Sequence, residues 1–181
     1  LTAHSAEVYS DNPSEFLNSV NEGVTGRINR GFVTGLAGHF GARQKNGSRK
    51  LVLAHAGHRQ VVVYRKKEDS IEVIDLPNGT VMGIPGTTAS RAKAVDLQIG
   101  DRFYAFTDGI VEASDPDGEE YGMDRLTADL RKLSAKPIQE TLDTICHLRH
   151  HCYPLSSCLQ KNCSHSALPH WVCYFHLTPT D

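Results

Sequence analysis

Residues 100–113 read GDRFYAFTDGIVEA, and this stretch indicates a buried strand that ends in a carboxylate. Residues 102–106 are rich in aromatic side chains and follow a Gly-Asp turn, which is typical of a core strand. Asp108 comes where the strand stops, and Gly109 allows a sharp turn of the backbone. We expect the Asp108 carboxylate to be well held and half desolvated, which suits a hard cation such as Mg²⁺ or Mn²⁺. The residues alone also allow an ordinary strand followed by an Asx-type turn.

The composition is that of a soluble globular domain and excludes several classes of function. The chain has 181 residues, of which 39% are hydrophobic and 22% charged, with a formal net charge of −2 and a pI of about 6.6. This balance argues against a dedicated nucleic-acid or anionic-membrane surface. No apolar run approaches the ~20 residues of a membrane span, and residues 1–10 lack the pattern of a signal peptide. We therefore expect a cytoplasmic protein with no nucleic-acid partner and no membrane span.

The order of the predicted elements indicates an α+β fold. A helix begins at Pro13, where Asn12 can cap it and Glu15 can reach back to the cap. Short strands then follow one another without intervening helices, so we expect antiparallel hairpins. Two amphipathic helices come after the strands and are expected to cover the sheets. The predicted strands are residues 32–42, 50–55, 60–65, 70–76, 93–97 and 102–106, and the two later helices are residues 123–133 and 137–148.

Short motifs along the chain, in their order and spacing, resemble those of a known family. The family is the bacterial PPM-type (PP2C-like) protein serine phosphatases of the SpoIIE/RsbU class. Each motif is weak alone, but together they extend over residues 12–145. The resembling segments are PSEFLNSVN at 13–21, FVT at 32–34, AGH at 56–58, MGI at 82–84, GDR at 100–102, TDG at 107–109, EA at 112–113 and YGMDRL at 121–126.

The resemblance implies a fold and a metal site. The fold is a four-layer α/β/β/α sandwich in which helices cover two antiparallel sheets, and here it is expected to be incomplete. The site holds two Mn²⁺ or Mg²⁺ ions, which activate a water that attacks phosphorus without a covalent enzyme intermediate. By resemblance, Asp108 is a ligand of one ion, and Gly109 lets the chain pass close to it. Thr34, His58 and Thr107 could shape the rim of the site, and no further catalytic residue is assigned.

The resemblance also implies a function. A domain of this class removes phosphate from phosphoserine or phosphothreonine on a small regulatory protein, often an antagonist of an anti-sigma factor. Such domains usually follow a sensor or receiver domain in the full-length protein. The expected partners are therefore a phosphorylated regulatory protein and an upstream sensor or receiver domain.

Two acidic motifs of the family do not occur in this chain. One is the Asp-x-Ser-Gly-His-Gly segment expected before the helix at Pro13, and the other is the Asp-Asp pair expected to open the last strand. The candidate last strand, residues 171–177, follows Pro169 and His170 instead. One carboxylate cannot hold two divalent ions against water, so we expect impaired catalysis. Two alternatives stay open: a pseudophosphatase or protein-binding module that keeps the fold without catalysis, and a gene fragment without an independent function.

The residues after position 149 differ in character from the rest. We divide the chain into a partial phosphatase domain, residues 1–149, and a Cys/His-rich tail, residues 150–181, which could supply a last strand at 171–177. The spacing of its cysteines and histidines does not fit a zinc ribbon. A divergent or frame-slipped C-terminus and an ordinary irregular tail with reduced cysteines are the other two interpretations. The five cysteines of the chain are Cys146, Cys152, Cys158, Cys163 and Cys173.

Other polar residues have structural interpretations. Asp101 is expected to stabilise the turn before its strand, and His39 and His55 are expected to be core or cross-strand residues. A basic hairpin edge is formed by Arg43, Lys45, Arg49 and Lys50. Charge protects an edge strand from unwanted pairing, and a docking site for an acidic phosphoprotein is the alternative.

Overall fold

A computed structural model gives the structure of the protein and describes residues 11–28, 31–59, 61–152 and 173–176. The chain divides into two compact units, each with its own sheet. Within the described residues, the first unit contains 11–28, 31–59 and 74–99, and the second contains 61–73, 100–152 and 173–176.

The first unit is a three-stranded antiparallel sheet with a helix packed on it. The strands are β1 (Gly35–Phe40), β2 (Arg49–Ala56) and β5 (Lys93–Leu97), in the order β1-β2-β5, and the helix is α1 (Pro13–Val24). Apolar residues at helical spacing face the sheet because their burial removes them from water. The buried core between helix and sheet consists of Leu17 of α1, Ala54 and Ala56 of β2, and Met82.

Helix α1 begins as its sequence predicts. The side chain of Asn12 accepts a hydrogen bond from Glu15 N–H (3.3 Å), and Pro13 occupies the first helical position. The helix ends at Val24, and Thr25 caps it by donating its N–H to Asn21 O (2.9 Å). The capping residue therefore fixes the start of the helix, as expected for an N-terminal Asn-Pro pair.

The second unit is a four-stranded antiparallel sheet with helices against one face. The strands are β3 (Val61–Arg65), β4 (Ser70–Val73), β6 (Arg102–Ala105) and β7 (Cys173–His176), in the order β4-β3-β6-β7. The helices are α2 (Asp108–Val111), α3 (Gly122–Lys132) and α4 (Ile138–Cys152). The buried core of this unit consists of Val62, Tyr64, Tyr104, Phe106, Ile110, Tyr121, Leu126, Leu130 and Ile145.

The expected elements occur, and the α+β class with two antiparallel sheets is confirmed. The main difference concerns pairing: β1 with β2 and β3 with β4 are hairpins, but β2 and β3 are consecutive and lie in different sheets. Strand β3 instead pairs with β6, which is distant in sequence. Residues 61–64 are all buried, and such a strand needs partners on both edges to satisfy its backbone groups.

Three predicted segments are shorter or different in the structure. The strand expected at 32–42 spans only Gly35–Phe40, because Val33 pairs with Met82 in an isolated bridge. The strand expected at 70–76 ends at Val73. Within the expected strand at 171–177 the structure describes Cys173–His176, which pairs with β6. The interpretations of the remaining tail fall outside the described residues, and the boundary at residue 149 stays a prediction.

Candidate active site

Strand β6 brings the candidate site residues to the end of a buried strand. It lies between β3 and β7, and Phe103 and Tyr104 are each 1% exposed. Phe106 continues the buried run just after the strand. The aromatic side chains fix the strand because each removes a large apolar area from water. The chain therefore reaches Thr107 and Asp108 from a rigid, well-packed segment.

Asp108 begins helix α2, which is a single turn. Thr107 occupies the N-cap position without a side-chain capping bond, and its carbonyl accepts a hydrogen bond from Ile110 N–H (3.1 Å). Glu112 N–H donates to Asp108 O (2.9 Å), and Gly109 N–H donates to Asp108 Oδ1 (2.9 Å). Ile110 is buried in the core of the unit. This contact anchors the turn and holds the backbone of Asp108 in place.

Two expectations for this segment are wrong. The Asp108 side chain is exposed and not half desolvated, because the helical turn directs Ile110 and, in part, Val111 into the core and leaves Asp108 outside it. Gly109 lies inside the helical turn, so the chain does not use it for a sharp turn in the left-handed region. Both differences have the same cause: residues 107–112 form the hydrogen bonds of a helical turn and not an Asx-type turn.

The described residues alone supply too few ligands for a site of two divalent ions. Mg²⁺ and Mn²⁺ need several oxygen ligands at short range. Among residues 11–28, 31–59, 61–152 and 173–176, no group of three His, Cys, Asp or Glu side chains could hold a metal ion. Asp108 contributes one carboxylate, and Gly109 contributes a backbone segment beside it. No reaction step is therefore assigned to a metal.

The other two candidate rim residues, Thr34 and His58, lie at one end of the three-stranded sheet. Gly35 pairs with Ala56 at that end and forms an isolated bridge with Gly57. Thr34 is exposed, and its methyl group lies 3.0 Å from the position that a Cβ on Gly57 would occupy. Gly57 has φ +72°, and the half-buried His58 follows it. Thr34 and His58 thus belong to the first unit, whereas Thr107, Asp108 and Gly109 form a contiguous group in the second.

The loop that follows β4 is fastened to helix α1 by polar side chains. Asn21 donates from Nδ2 to Thr87 O (2.7 Å) and accepts at Oδ1 from Gly83 N–H (2.7 Å). Asn18 Oδ1 accepts from Ala89 N–H (2.8 Å), and Ser14 Oγ donates to Ser90 O (2.7 Å). Sequence reasoning missed this polar stripe. Its signal was the spacing of Ser14, Asn18 and Asn21, which places them on one face of a helix.

His55 fastens the same loop from strand β2. Its ring Nε2 lies 2.8 Å from Pro77 O, and because a carbonyl oxygen only accepts, Nε2 carries the proton. Ser90 exchanges two hydrogen bonds with the His55 backbone, at 2.8 and 2.7 Å. Burial lowers the pKa of His55; the bond to Pro77 opposes this shift, and the positive charge of Arg59 adds to it. His55 is therefore the neutral core residue that its strand position indicated, while His39 is half-buried with its Nε2 3.4 Å from Asp11.

Asp101 stabilises the turn before β6, as expected. It is 2% exposed, its Oδ2 accepts from Arg65 Nη1 (2.9 Å), and its Oδ1 accepts from Lys66 N–H (3.1 Å). Arg65 also donates from Nε to Glu72 Oε2 (2.7 Å). Burial acts to lower the pKa of Arg65, but the hydrogen bonds to Asp101 and Glu72 outweigh it and leave this pKa raised. Asp101 is thus fully used by its neighbours and is a structural residue.

A small apolar cavity of about 20 Å³ lies in the core of the second unit, between β6 and the helices. The Tyr104 hydroxyl is buried without a hydrogen-bond partner, and so is Arg102 Nη1, two residues earlier on the same face of the strand. Burial raises the pKa of Tyr104, while Arg102 opposes that shift. The cavity is lined by Tyr104, Phe106, Ile110, Leu126, Leu130, Leu142 and Ile145.

Comparison with known protein families gives one match over most of the chain. The sequence profile described as Stage II sporulation protein E (SpoIIE) matches residues 1–156. No curated protein matches the chain at a significant level.

Solved structures share the fold at low sequence identity. The RsbU and RsbW domains of a Mycobacterium tuberculosis protein match with a TM-score of 0.63 and 18% identity, over 82% of this chain and 40% of that chain. The Mn-presoaked phosphatase domain of SpoIIE from Bacillus subtilis matches with a TM-score of 0.58 and 12% identity, over 99% and 76% of the two chains. The SiaA-PP2C domain of Pseudomonas aeruginosa matches with a TM-score of 0.55 and 16% identity, over 96% and 63%. These matches confirm the PP2C-like fold class, and the chain spans 40% of the first of these relatives.

Proposed function

Because this chain belongs to the SpoIIE family of bacterial PPM-type protein serine/threonine phosphatases, we propose that it hydrolyses phosphoserine or phosphothreonine on a regulatory protein. The observation that carries this proposal is the setting of Asp108. Its backbone is fixed by a buried strand and by the Ile110 anchor, while its side chain is exposed. A cation ligand needs this combination, since the oxygen must be accessible and its position must be fixed.

The metal part of the proposal concerns Asp108 and Gly109. We propose that Asp108 contributes a carboxylate to a Mn²⁺ or Mg²⁺ site, with Gly109 beside it and Thr107 at the rim. A related SpoIIE phosphatase domain was studied after soaking in Mn. When bound, such ions would supply an activated water and neutralise phosphate charge.

The proposed substrate is a phosphorylated regulatory protein of the anti-sigma-factor antagonist type. One matched structure contains an RsbU domain together with an RsbW domain, and another, PppA, carries the description of a key regulatory component of T6SS in Pseudomonas aeruginosa. We further propose an upstream sensor or receiver domain and a cytoplasmic setting. Among the described residues, no helix combines the length and the apolar character that crossing a membrane requires.

We propose that the 181-residue polypeptide, by itself, is an impaired phosphatase. Among residues 109–152 and 173–176, no carboxylate stands at the start of a strand, so the acidic partners that the family resemblance implies for such a site are not found in that part of the chain. The same observation favours one alternative, a pseudophosphatase or protein-binding module that keeps the fold without turnover.

The test is hydrolysis of p-nitrophenyl phosphate and of a phosphoserine peptide, with Mn²⁺ or Mg²⁺, by the polypeptide and by Asp108→Asn. We expect slow metal-dependent turnover that Asp108→Asn lowers by at least ~10- to 100-fold, the range seen when outer-shell partners of metal ligands are removed. Glu112→Gln is the matched control, because Glu112 is an exposed carboxylate four residues away. It should keep the activity of the unchanged chain.

Two outcomes of this assay would contradict the proposal, and a metal titration tests the alternative function. Turnover comparable to that of an intact relative would contradict the impairment. Equal rates for Asp108→Asn and Glu112→Gln would contradict the role of Asp108. Calorimetric titration with Mn²⁺ addresses the alternative, since a binding module without catalysis should show no tight site.

A further inference from the structure

The hairpin formed by β1 and β2 carries an unusual concentration of positive charge around its turn. Residues 43–50 contain four of the 19 Lys and Arg residues of a chain whose net charge is −2. No Asp or Glu occurs between Glu22 and Glu68. We call residues 43–50 the basic tip; its cations are Arg43, Lys45, Arg49 and Lys50.

The backbone of the basic tip is held in one conformation. Gly41 N–H donates to Lys50 O (2.8 Å), and Gln44 N–H donates to Ser48 O (2.9 Å). The side chain of Asn46 accepts from Ser48 N–H (3.1 Å) and from Ser48 Oγ (2.7 Å). Gly47 has φ +82° and lies under Ile99, which a Cβ at this position would strike. The cations are therefore presented by a preorganised turn, which lowers the entropic cost of binding.

Three of the four cations lack a carboxylate partner within the part of the chain that the structure describes. Several basic residues elsewhere reach one, for example Arg59 with Asp75 and Arg131 with Asp69. Lys45, Arg49 and Lys50 form no such pair, and Lys45 and Lys50 are exposed. Arg49 Nε is also buried without a hydrogen-bond acceptor. The nearest acid across the sheet is Asp96, which stands opposite Lys50 in the β2–β5 register.

The basic tip lies at the far end of the sheet from the candidate rim residues. Strands β1 and β2 pair over six residues, from Gly35 with Ala56 to Phe40 with Leu51. At about 3.3 Å per residue, the ladder separates the tip from Thr34 and His58 by roughly 20 Å. The tip is thus a separate surface within the first unit.

We propose that the basic tip docks an acidic segment of a partner protein. Complementary charge gives such a contact its specificity and its rate of association. A protein fits better than a nucleic acid because the chain as a whole is slightly acidic. In addition, residues 41–50 contain no aromatic side chain on which bases could stack. This binding needs no phosphatase activity, so it stands or falls independently of the proposed function.

The test is fluorescence anisotropy with two labelled probes, an eight-residue poly-Glu peptide and an eight-nucleotide single-stranded DNA. We expect the whole chain to bind the peptide with an affinity that falls with rising salt. Lys45→Glu/Lys50→Glu should weaken it by at least about ten-fold. In the first variant, the new Glu at position 50 stands opposite Asp96, and repulsion between the two carboxylates could disturb the sheet. The second variant, Lys45→Gln/Lys50→Gln, removes the positive charges without adding negative ones, and it should also weaken peptide binding. Thermal melting verifies the fold of each.

The control is Lys67→Glu/Arg91→Glu, which changes the net charge equally at two exposed residues outside the tip. It should stay within about two-fold of the unchanged chain. The proposal is overturned if the peptide does not bind, if the tip variants bind as well as the unchanged chain, or if the control loses as much affinity as the tip variants. Tighter binding of the DNA than of the peptide would also overturn it, by identifying a nucleic-acid surface.

Discussion

The two ends of strand β6 each carry an aspartate, and the protein uses them in opposite ways. At the start, Asp101 is 2% exposed, and both of its oxygens accept hydrogen bonds, from Arg65 and from the backbone of Lys66. Beyond its end, Asp108 is exposed, and its carboxylate accepts one hydrogen bond, from the N–H of the residue that follows it.

The difference teaches what separates a structural carboxylate from one that is available to a ligand. A buried charge must be compensated by neighbours, and the compensation occupies its lone pairs. An exposed carboxylate on a rigid backbone keeps its lone pairs accessible. Similar sequence contexts, Gly-Asp and Asp-Gly, therefore lead to different chemistry because of the side chains packed around them.

The largest expected effect is on stability, and it tests the comparison directly. Asp101→Ala should lower the free energy of unfolding by about 3 kcal/mol, the lower end for breaking a buried ion pair, since Arg65 keeps Glu72. Asp108→Ala should change it by less than about 0.5 kcal/mol, as at other exposed sites. Urea unfolding of both variants measures this, and equal effects would remove the distinction between the two aspartates.

A second test extends the comparison to two histidines, the buried His55 and the half-buried His58. Because the folded-state pKa of His55 lies below its ordinary value of 6.5, the unfolded chain binds a proton more readily. The contribution of neutral His55 to the free energy of unfolding is therefore present in full above pH 6.5 and decreases as the pH drops below it. His55→Gln should cost about 1–2 kcal/mol at pH 7.5 and show a shallower loss on acidification.

The measurement is the urea midpoint at several pH values between 5 and 8. His58→Gln is the comparison variant, because it removes a half-buried histidine three residues along the chain. If His55→Gln loses stability on acidification as steeply as the unchanged chain, a group other than His55 is responsible.

The smallest expected effect has the opposite sign and concerns the middle of strand β6. Tyr104 buries a hydroxyl without a hydrogen-bond partner, so Tyr104→Phe should raise the free energy of unfolding by about 1 kcal/mol. Thermal and urea unfolding check this. Tyr64→Phe is the contrasting variant, because the Tyr64 hydroxyl donates to Asp69 (3.1 Å); it should be destabilising, and a gain in both variants would contradict the explanation.

Local signals in the sequence predict most of the elements. The Asn-Pro start of α1 and the strand at Lys93–Leu97 follow from capping and alternation. Pairing between distant strands could not be predicted this way, because β3 joins β6 through side-chain burial that no local window contains. The separation of β2 and β3 into different sheets has the same cause.

The candidate site was predictable in part. The position of Asp108 at the end of a core strand follows from the aromatic run before it, but its exposure depends on a helical turn that the Thr-Asp-Gly motif does not reveal. The stripe of Ser14, Asn18 and Asn21 was visible in the spacing, yet its partners are backbone groups more than 60 residues away. Because every residue except proline has the same backbone groups, the composition of the loop does not indicate such partners.

That stripe has a practical consequence for anyone who redesigns this protein. The segment from Gly83 to Ser90 takes its shape from amide and hydroxyl groups on α1, so grafting it alone into another scaffold would discard the template that shapes it. The helix, strand β2 and the segment would have to be moved together, although 58 residues of sequence lie between Val24 and Gly83.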